Sequence, residues 1–232
     1  MSGRRLVLLA CAVAVAVVAQ AADLPVVASG FAAGPASRVD LTNTSMQPVT
    51  SWTLVVTSKQ ADGVTRRGVE TIDAYLSEVT REFVGASERV DRLMPGETRR
   101  FMLDAVPSGA TVEVTAAILD DGTAFGDEET IASVFEHRAK ERDALREVLD
   151  AFNAVLPTMR GTTALEALKQ RFAAVDSKQE TPAHRSAREA VDAYLQRTTA
   201  ANVDAIDQLV RKYADVVRRE YELADKHSRR KP

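Results

Sequence analysis

The residues that could do chemistry are few. Histidine occurs at His137, His184 and His227, and the one cysteine is Cys11. His137 and Glu141 stand four apart, a spacing that can turn two metal ligands to one helix face. No second histidine joins them, and Arg138 and Arg142 lie alongside, so the stretch reads as an ion-pair ladder on a helix surface. His184 falls in a first helical turn after Pro182, and His227 lies near the C-terminal tail, neither beside a partner in sequence. Acids are denser: Asp120, Asp121, Asp127, Glu128 and Glu129 surround Gly122 and Gly126. Hard cations want several oxygens on a tight turn, which makes Asp120, Asp121 and Asp127 weak metal candidates, with calcium the natural ion. Their spacing is not that of an EF-hand loop. A strand-ending Asp-Gly turn before an acidic helix start is the reading that accounts for them better.

Nucleophilic catalysis finds less support. There is no Gly-x-Ser-x-Gly elbow and no glycine-rich loop to cradle phosphate. Ser228 and Lys231 match a Ser-x-x-Lys spacing, but on a polar tail. Trp52 sits on an alternating stretch, where a lone tryptophan anchors a core. No catalytic residue and no cofactor is indicated, and the reading leans away from an enzyme. A site assembled from distant residues would leave no motif.

Composition narrows the class. The 232 residues carry 30 Lys+Arg against 33 Asp+Glu, too even a balance for binding driven by phosphate neutralisation, so nucleic acid is not expected as a partner. The chain is 45% apolar, which excludes a disordered polymer. Residues 1–21 read as an export signal: Arg4 and Arg5, fourteen apolar residues from Leu6 to Ala19, then Ala19-Gln20-Ala21 for cleavage after Ala21. Uncleaved, that segment is the only expected membrane contact. Its removal takes Cys11 and two arginines, leaving 28 basic residues against 33 acidic and no thiol. An exported domain without disulfides must stand on its hydrophobic core.

Two kinds of element must position whatever site exists. Between Ala36 and Leu119 apolar residues alternate: Val39 and Leu41; Trp52, Leu54 and Val56; Phe101 and Leu103; Val112, Val114, Ala116 and Ile118. Such runs are half-buried strands. Turn residues separate them, among them Asp62-Gly63, Pro95-Gly96 and Asp121-Gly122, and the set predicts an antiparallel sandwich over 36–125. Thr71–Gly85 fits either a helix or two edge strands. From 127 to 227 the period becomes helical. Asp127 caps a long helix ended by Pro157, and Thr163 with Glu166 forms a capping box for a second. Thr181-Pro182 starts a third, with a weak point at Thr198–Asn202. The apolar stripes predict a helical hairpin or three-helix bundle, with docking of that face on an envelope protein as the other use.

The stretch from Val39 to Ser45, followed by Pro48-Val49 and the strand Trp52–Val56, resembles a small immunoglobulin-like module of exported bacterial proteins, including the family of FxLYD domains. Leu93-Met94-Pro95-Gly96-Glu97 leading to Phe101 belongs to the same likeness. The segment from Ala117 to Asp127 looks like a motif of uncharacterised exported proteins that join such a sandwich to C-terminal helices. The likeness covers roughly residues 36–140 and implies an immunoglobulin-like sandwich without an activity. The expectation is therefore an α+β chain, exported to the periplasm or beyond. Its expected role is a non-enzymatic interaction or structural module, and the alternative is a hydrolase with its site where sandwich and helices meet.

Overall fold

The computed structural model of the chain describes residues 24–59, 62–76, 79, 91–175 and 180–231. The predicted leader lies outside the described residues. Thr71–Asp73 proves to be strand and Val79 helical, while residues 77–78 and 80–85 of the ambiguous stretch also lie outside. Among the described residues no helix is long and apolar enough to cross a membrane.

The fold is α+β, with seven strands followed by four helices among the described residues. The strands are β1 (Val26–Ala32), β2 (Ser37–Asn43), β3 (Val49–Lys59), β4 (Thr65–Asp73), β5 (Thr98–Leu103), β6 (Thr111–Leu119) and β7 (Ala124–Gly126). They form two antiparallel sheets, β1-β2-β5 and β4-β3-β6-β7. In β2 the residues Ser37, Val39, Leu41 and Asn43 alternate inward, as period two requires. Val39 and Leu41 meet Trp52, Leu54, Val112 and Val114 of the other sheet in one sandwich-like core. Trp52 lies edge-on to Phe101 at 5.4 Å between ring centres. Each such side chain taken from water stabilises by roughly 1.5–3 kcal/mol, so no disulfide is needed.

The helices are α1 (Glu128–Val155), α2 (Gly161–Ala173), α3 (Pro182–Arg197) and α4 (Val203–His227). Asp127 does cap α1, accepting from the Thr130 amide. At 28 residues α1 spans about 42 Å and serves both halves of the molecule. Its first turns press Ile131, Val134 and Phe135 onto Ala116 and Ile118 on the outer face of the four-stranded sheet. Further along, Leu145, Val148 and Phe152 enter a second core with Leu165, Leu168, Val191, Val210 and Val217. The helical stripes are thus buried by packing on one another.

Two expectations about the helices change. The weak point at Thr198–Asn202 is a full break, which makes four helices where a hairpin or three was expected. There the Thr198 hydroxyl donates to the Tyr194 carbonyl and the Asn202 amide to the Arg197 carbonyl, so side chains satisfy backbone that a continuous helix would have used. Helix α2 opens at Gly161, ahead of the Thr163 capping box, because the Gly161 amide donates to the Asp207 carboxylate of α4. A cap supplied 46 residues downstream leaves no local signature.

Candidate functional site

Sheet and helices meet around Arg138. Helical spacing from Ile131 through Val134 and Phe135 continues to position 138, so the arginine projects from the apolar stripe of α1 and is wholly buried. The surface ladder expected there does not include it. Its guanidinium grips Asp73 at the end of β4 with two bonds, of 2.6 and 3.0 Å. It also donates to the Thr50 hydroxyl at 3.1 Å and to the His227 carbonyl at 3.2 Å. The plane lies 4.8 Å from the Tyr75 ring centre, a cation–π contact. A planar fork with this many fixed partners is what arginine offers and lysine does not.

His227, expected in a loose tail, is 2% exposed and packs its ring 5.6 Å from Tyr75. Burial pushes its pKa down to about 4, with Lys226, Arg138 and Arg92 adding to the effect and Asp120, 3.6 Å from Nε2, opposing it. The imidazole is therefore neutral at neutral pH. Its Nδ1 and the Tyr75 hydroxyl are buried without a hydrogen-bond partner among the described residues. Burial also raises the Tyr75 pKa, so the phenol stays protonated.

The acidic turn is occupied by the chain's own C-terminus. Burial would raise the Asp120 pKa, but Lys226 at 2.8 Å, with His227 and Arg92, holds it below the ordinary carboxylate value. Lys231 at 2.7 Å and the Thr123 amide hold Asp121 well below that range. Arg230 pairs with Glu128, and the Lys231 amide donates to the Gly122 carbonyl. The third weak candidate, Asp127, spends its carboxylate on the α1 cap. The structure thus brings Asp120 and Asp121 close to cations and directs Asp127 elsewhere. Among the described residues no group of three or more metal-ligating side chains is placed to hold an ion.

His184 is the remaining histidine with partners: Nδ1 lies 3.2 Å from the Thr181 hydroxyl and Nε2 3.1 Å from Glu147. A hydroxyl, an imidazole and a carboxylate in line have the makeup of a hydrolytic triad. Their environments are reversed, however. A triad buries its acid and frees its hydroxyl, whereas the Glu147 side chain is 64% exposed and Thr181 caps α3. The arrangement fastens a helix start.

Open space lies elsewhere. A cleft of about 600 Å³ runs between the outer face of β3 and β4 and the first turns of α1, lined by Val55, Arg67, Val69, Thr71, Thr130 and His137 among others. Beside it β4 is exposed from Thr65 to Thr71. Burial pushes the Glu141 carboxyl up, while His137 and His184 pull it down, so the His137–Glu141 spacing does bring the two side chains into each other's field. Of the network residues, only Arg138 carried a sequence signal, its place on the apolar stripe. Asp73, Thr50, Tyr75 and His227 come together through tertiary packing alone. Comparison of the chain with protein-family models, with curated proteins and with solved structures finds no match.

Proposed function

We propose that this chain is an exported, non-enzymatic interaction or structural module of the bacterial cell envelope, with residues 1–21 as its export signal. The observation that carries the reading is the closure of the junction. Arg138, Asp73, Thr50 and the His227 carbonyl bind one another, and the C-terminal cations neutralise the acidic turn. Polar groups committed in this way hold two layers in place, and Asp73, which also lines the cleft, keeps both its carboxylate oxygens on Arg138.

The sandwich is read as immunoglobulin-like, in keeping with its likeness to FxLYD-type modules. Support comes from the connectivity. Strands one, two and five share one sheet, strands three, six and seven share the other with strand four at its edge beside strand three, and the third strand carries the buried tryptophan. The partner surface, expected on the helices, is better supported beside β4. The helical stripes fill their own core, leaving Leu209 and Met159 as the large apolar side chains exposed on that half among the described residues, whereas β4 and its cleft stand open.

Cross-linking in intact envelopes followed by affinity capture tests the reading, paired with a broad hydrolase panel on the purified protein. A specific captured partner and no turnover are expected. Hydrolysis that His184→Ala abolishes would overturn it.

A further inference from the structure

We propose that two copies of this chain join β4 to β4, antiparallel about a two-fold axis at Gly68, so that their four-stranded sheets merge into one. The proposal rests on reading the chain as an interaction module and names the partner that the β4 side takes.

Strand β4 ends its sheet. It pairs with β3 from Lys59↔Thr65 to Ser51↔Asp73, and with no other strand among the described residues. Thr65, Arg66, Arg67, Gly68, Val69, Glu70 and Thr71 are all exposed. A free edge of this length is a template for another strand, and charges on it ordinarily keep strands apart. Here the charges are arranged to suit a second copy. Antiparallel strands related by a two-fold axis keep their faces, so the axis must pass through a residue, and each residue meets one of its own face. With the axis at Gly68, Arg66 stands opposite Glu70 of the second copy and Glu70 opposite its Arg66. Thr65 stands opposite Thr71, and Arg67 opposite Val69.

Each of these pairings is favourable. Opposite charges and threonine pairs stabilise neighbouring strands. The alkyl stem of Arg67 can cover Val69, which is 60% exposed on the cleft side. Other registers do worse. An axis at Arg66, Arg67 or Glu70 sets that charge against its own copy. An axis at Val69 leaves Arg66 on Ile72 and Glu70 on Gly68. Only the Gly68 axis faces opposite charges with no like pair.

Sedimentation and light scattering over a rising protein concentration test the proposal, on protein carrying its native N-terminus. A mass of twice the chain is expected at the upper concentrations. Glu70→Arg alone and Arg66→Glu alone should each weaken self-association by about tenfold or more. An equimolar mixture of the two variants should associate again, because each supplies the charge that the other lacks.

The register has its own test. A side chain at position 68 has space, the nearest atom to its Cβ being the Val56 carbonyl oxygen at 4.0 Å. In a Cys11→Ser background, Gly68→Cys should form a disulfide-linked dimer on mild oxidation, since paired residues across an antiparallel ladder lie within disulfide reach. Val64→Cys, exposed on the same chain, should not. A monomer at every concentration overturns the proposal, as does cross-linking at position 68 no faster than at 64. Either result leaves the interaction reading intact if envelope capture still returns another protein. Turnover by the purified protein would sink that reading and leave the dimer standing.

Discussion

Sheet and helices are fastened at two places that differ in almost every physical respect. At one, Arg138 is wholly buried and its partners span β3, β4 and the end of α4. At the other, Lys226 and Lys231 reach Asp120 and Asp121 at the surface, with more than half of each lysine side chain exposed. The chemistry is the same, cation on carboxylate, but the dielectric is not. A buried charge that loses its partner keeps the whole cost of having left water, while an exposed one is rehydrated. The buried clasp is therefore all-or-none and indifferent to salt, and the exposed clasp is graded and screened.

The strongest way to break this comparison is at the buried clasp. Arg138→Ala strands the Asp73 carboxylate and leaves the Thr50 hydroxyl and His227 carbonyl with fewer partners. A loss of about 3–5 kcal/mol in urea unfolding is expected. The single change Asp73→Ala should cost a similar amount by leaving the guanidinium uncompensated. The pair Arg138→Met with Asp73→Leu should recover most of that loss, because an apolar replacement strands nothing. If the double variant is as unstable as either single one, the network does more than balance charge.

Protonation attacks the same clasp from the side of α4. An unfolded histidine takes up its proton near pH 6.5, whereas His227 in the fold does so only at about 4. Between those values the unfolded chain binds more protons, so stability rises with pH across that window and is complete above 6.5. The swing is about 3 kcal/mol. Glu141, with its pKa raised, contributes with the opposite sign. Asp120 and Asp121, with theirs lowered, act at lower pH. His227→Leu should flatten the dependence between pH 6.5 and 5. An unchanged slope in that variant would place the proton elsewhere.

What could be read from the sequence follows from the same contrast between local and assembled interactions. Strands β2, β3 and β5 announce themselves by alternation, because one face of each meets the sandwich core. Strand β6 alternates too, but an irregularity in its pairing with β3 at Thr53/Leu54 turns Ala116 and Ile118 away from Val112 and Val114 and onto α1. Strand β4 does not. Exposed on both faces from Thr65 to Thr71, it has no apolar rhythm to detect. Strand β1 loses its rhythm at Ser29-Gly30, where its pairing with β2 shifts register. The Asp127 and Thr181 caps were legible because cap and amide lie within three residues. Of the acidic turn only the density of carboxylates was legible. Their lysine partners arrive from more than a hundred residues downstream, so the pairing of the turn with residues 226–231 leaves no local signature.

That pairing depends on a missing side chain. Gly122 holds φ at +85°, and a Cβ there would stand 2.7 Å from the Arg229 carbonyl oxygen. Gly122→Ala therefore pushes the tail off the turn as well as straining the backbone, and about 1–3 kcal/mol of destabilisation is expected.

The smallest effect belongs to the surface pair itself. Lys231→Ala removes the Asp121 partner but leaves the Thr123 amide and Gln47 amide on that carboxylate. It should cost no more than about 1 kcal/mol at low salt, and nothing measurable near 1 M, where the Debye length is about 3 Å. Arg138→Ala should lose the same stability at both salt concentrations. The ratio of the two losses, followed in urea as salt is raised, therefore measures how differently the two clasps are solvated. If both fade together, Arg138 is reached by solvent and the buried clasp is no different in kind from the exposed one.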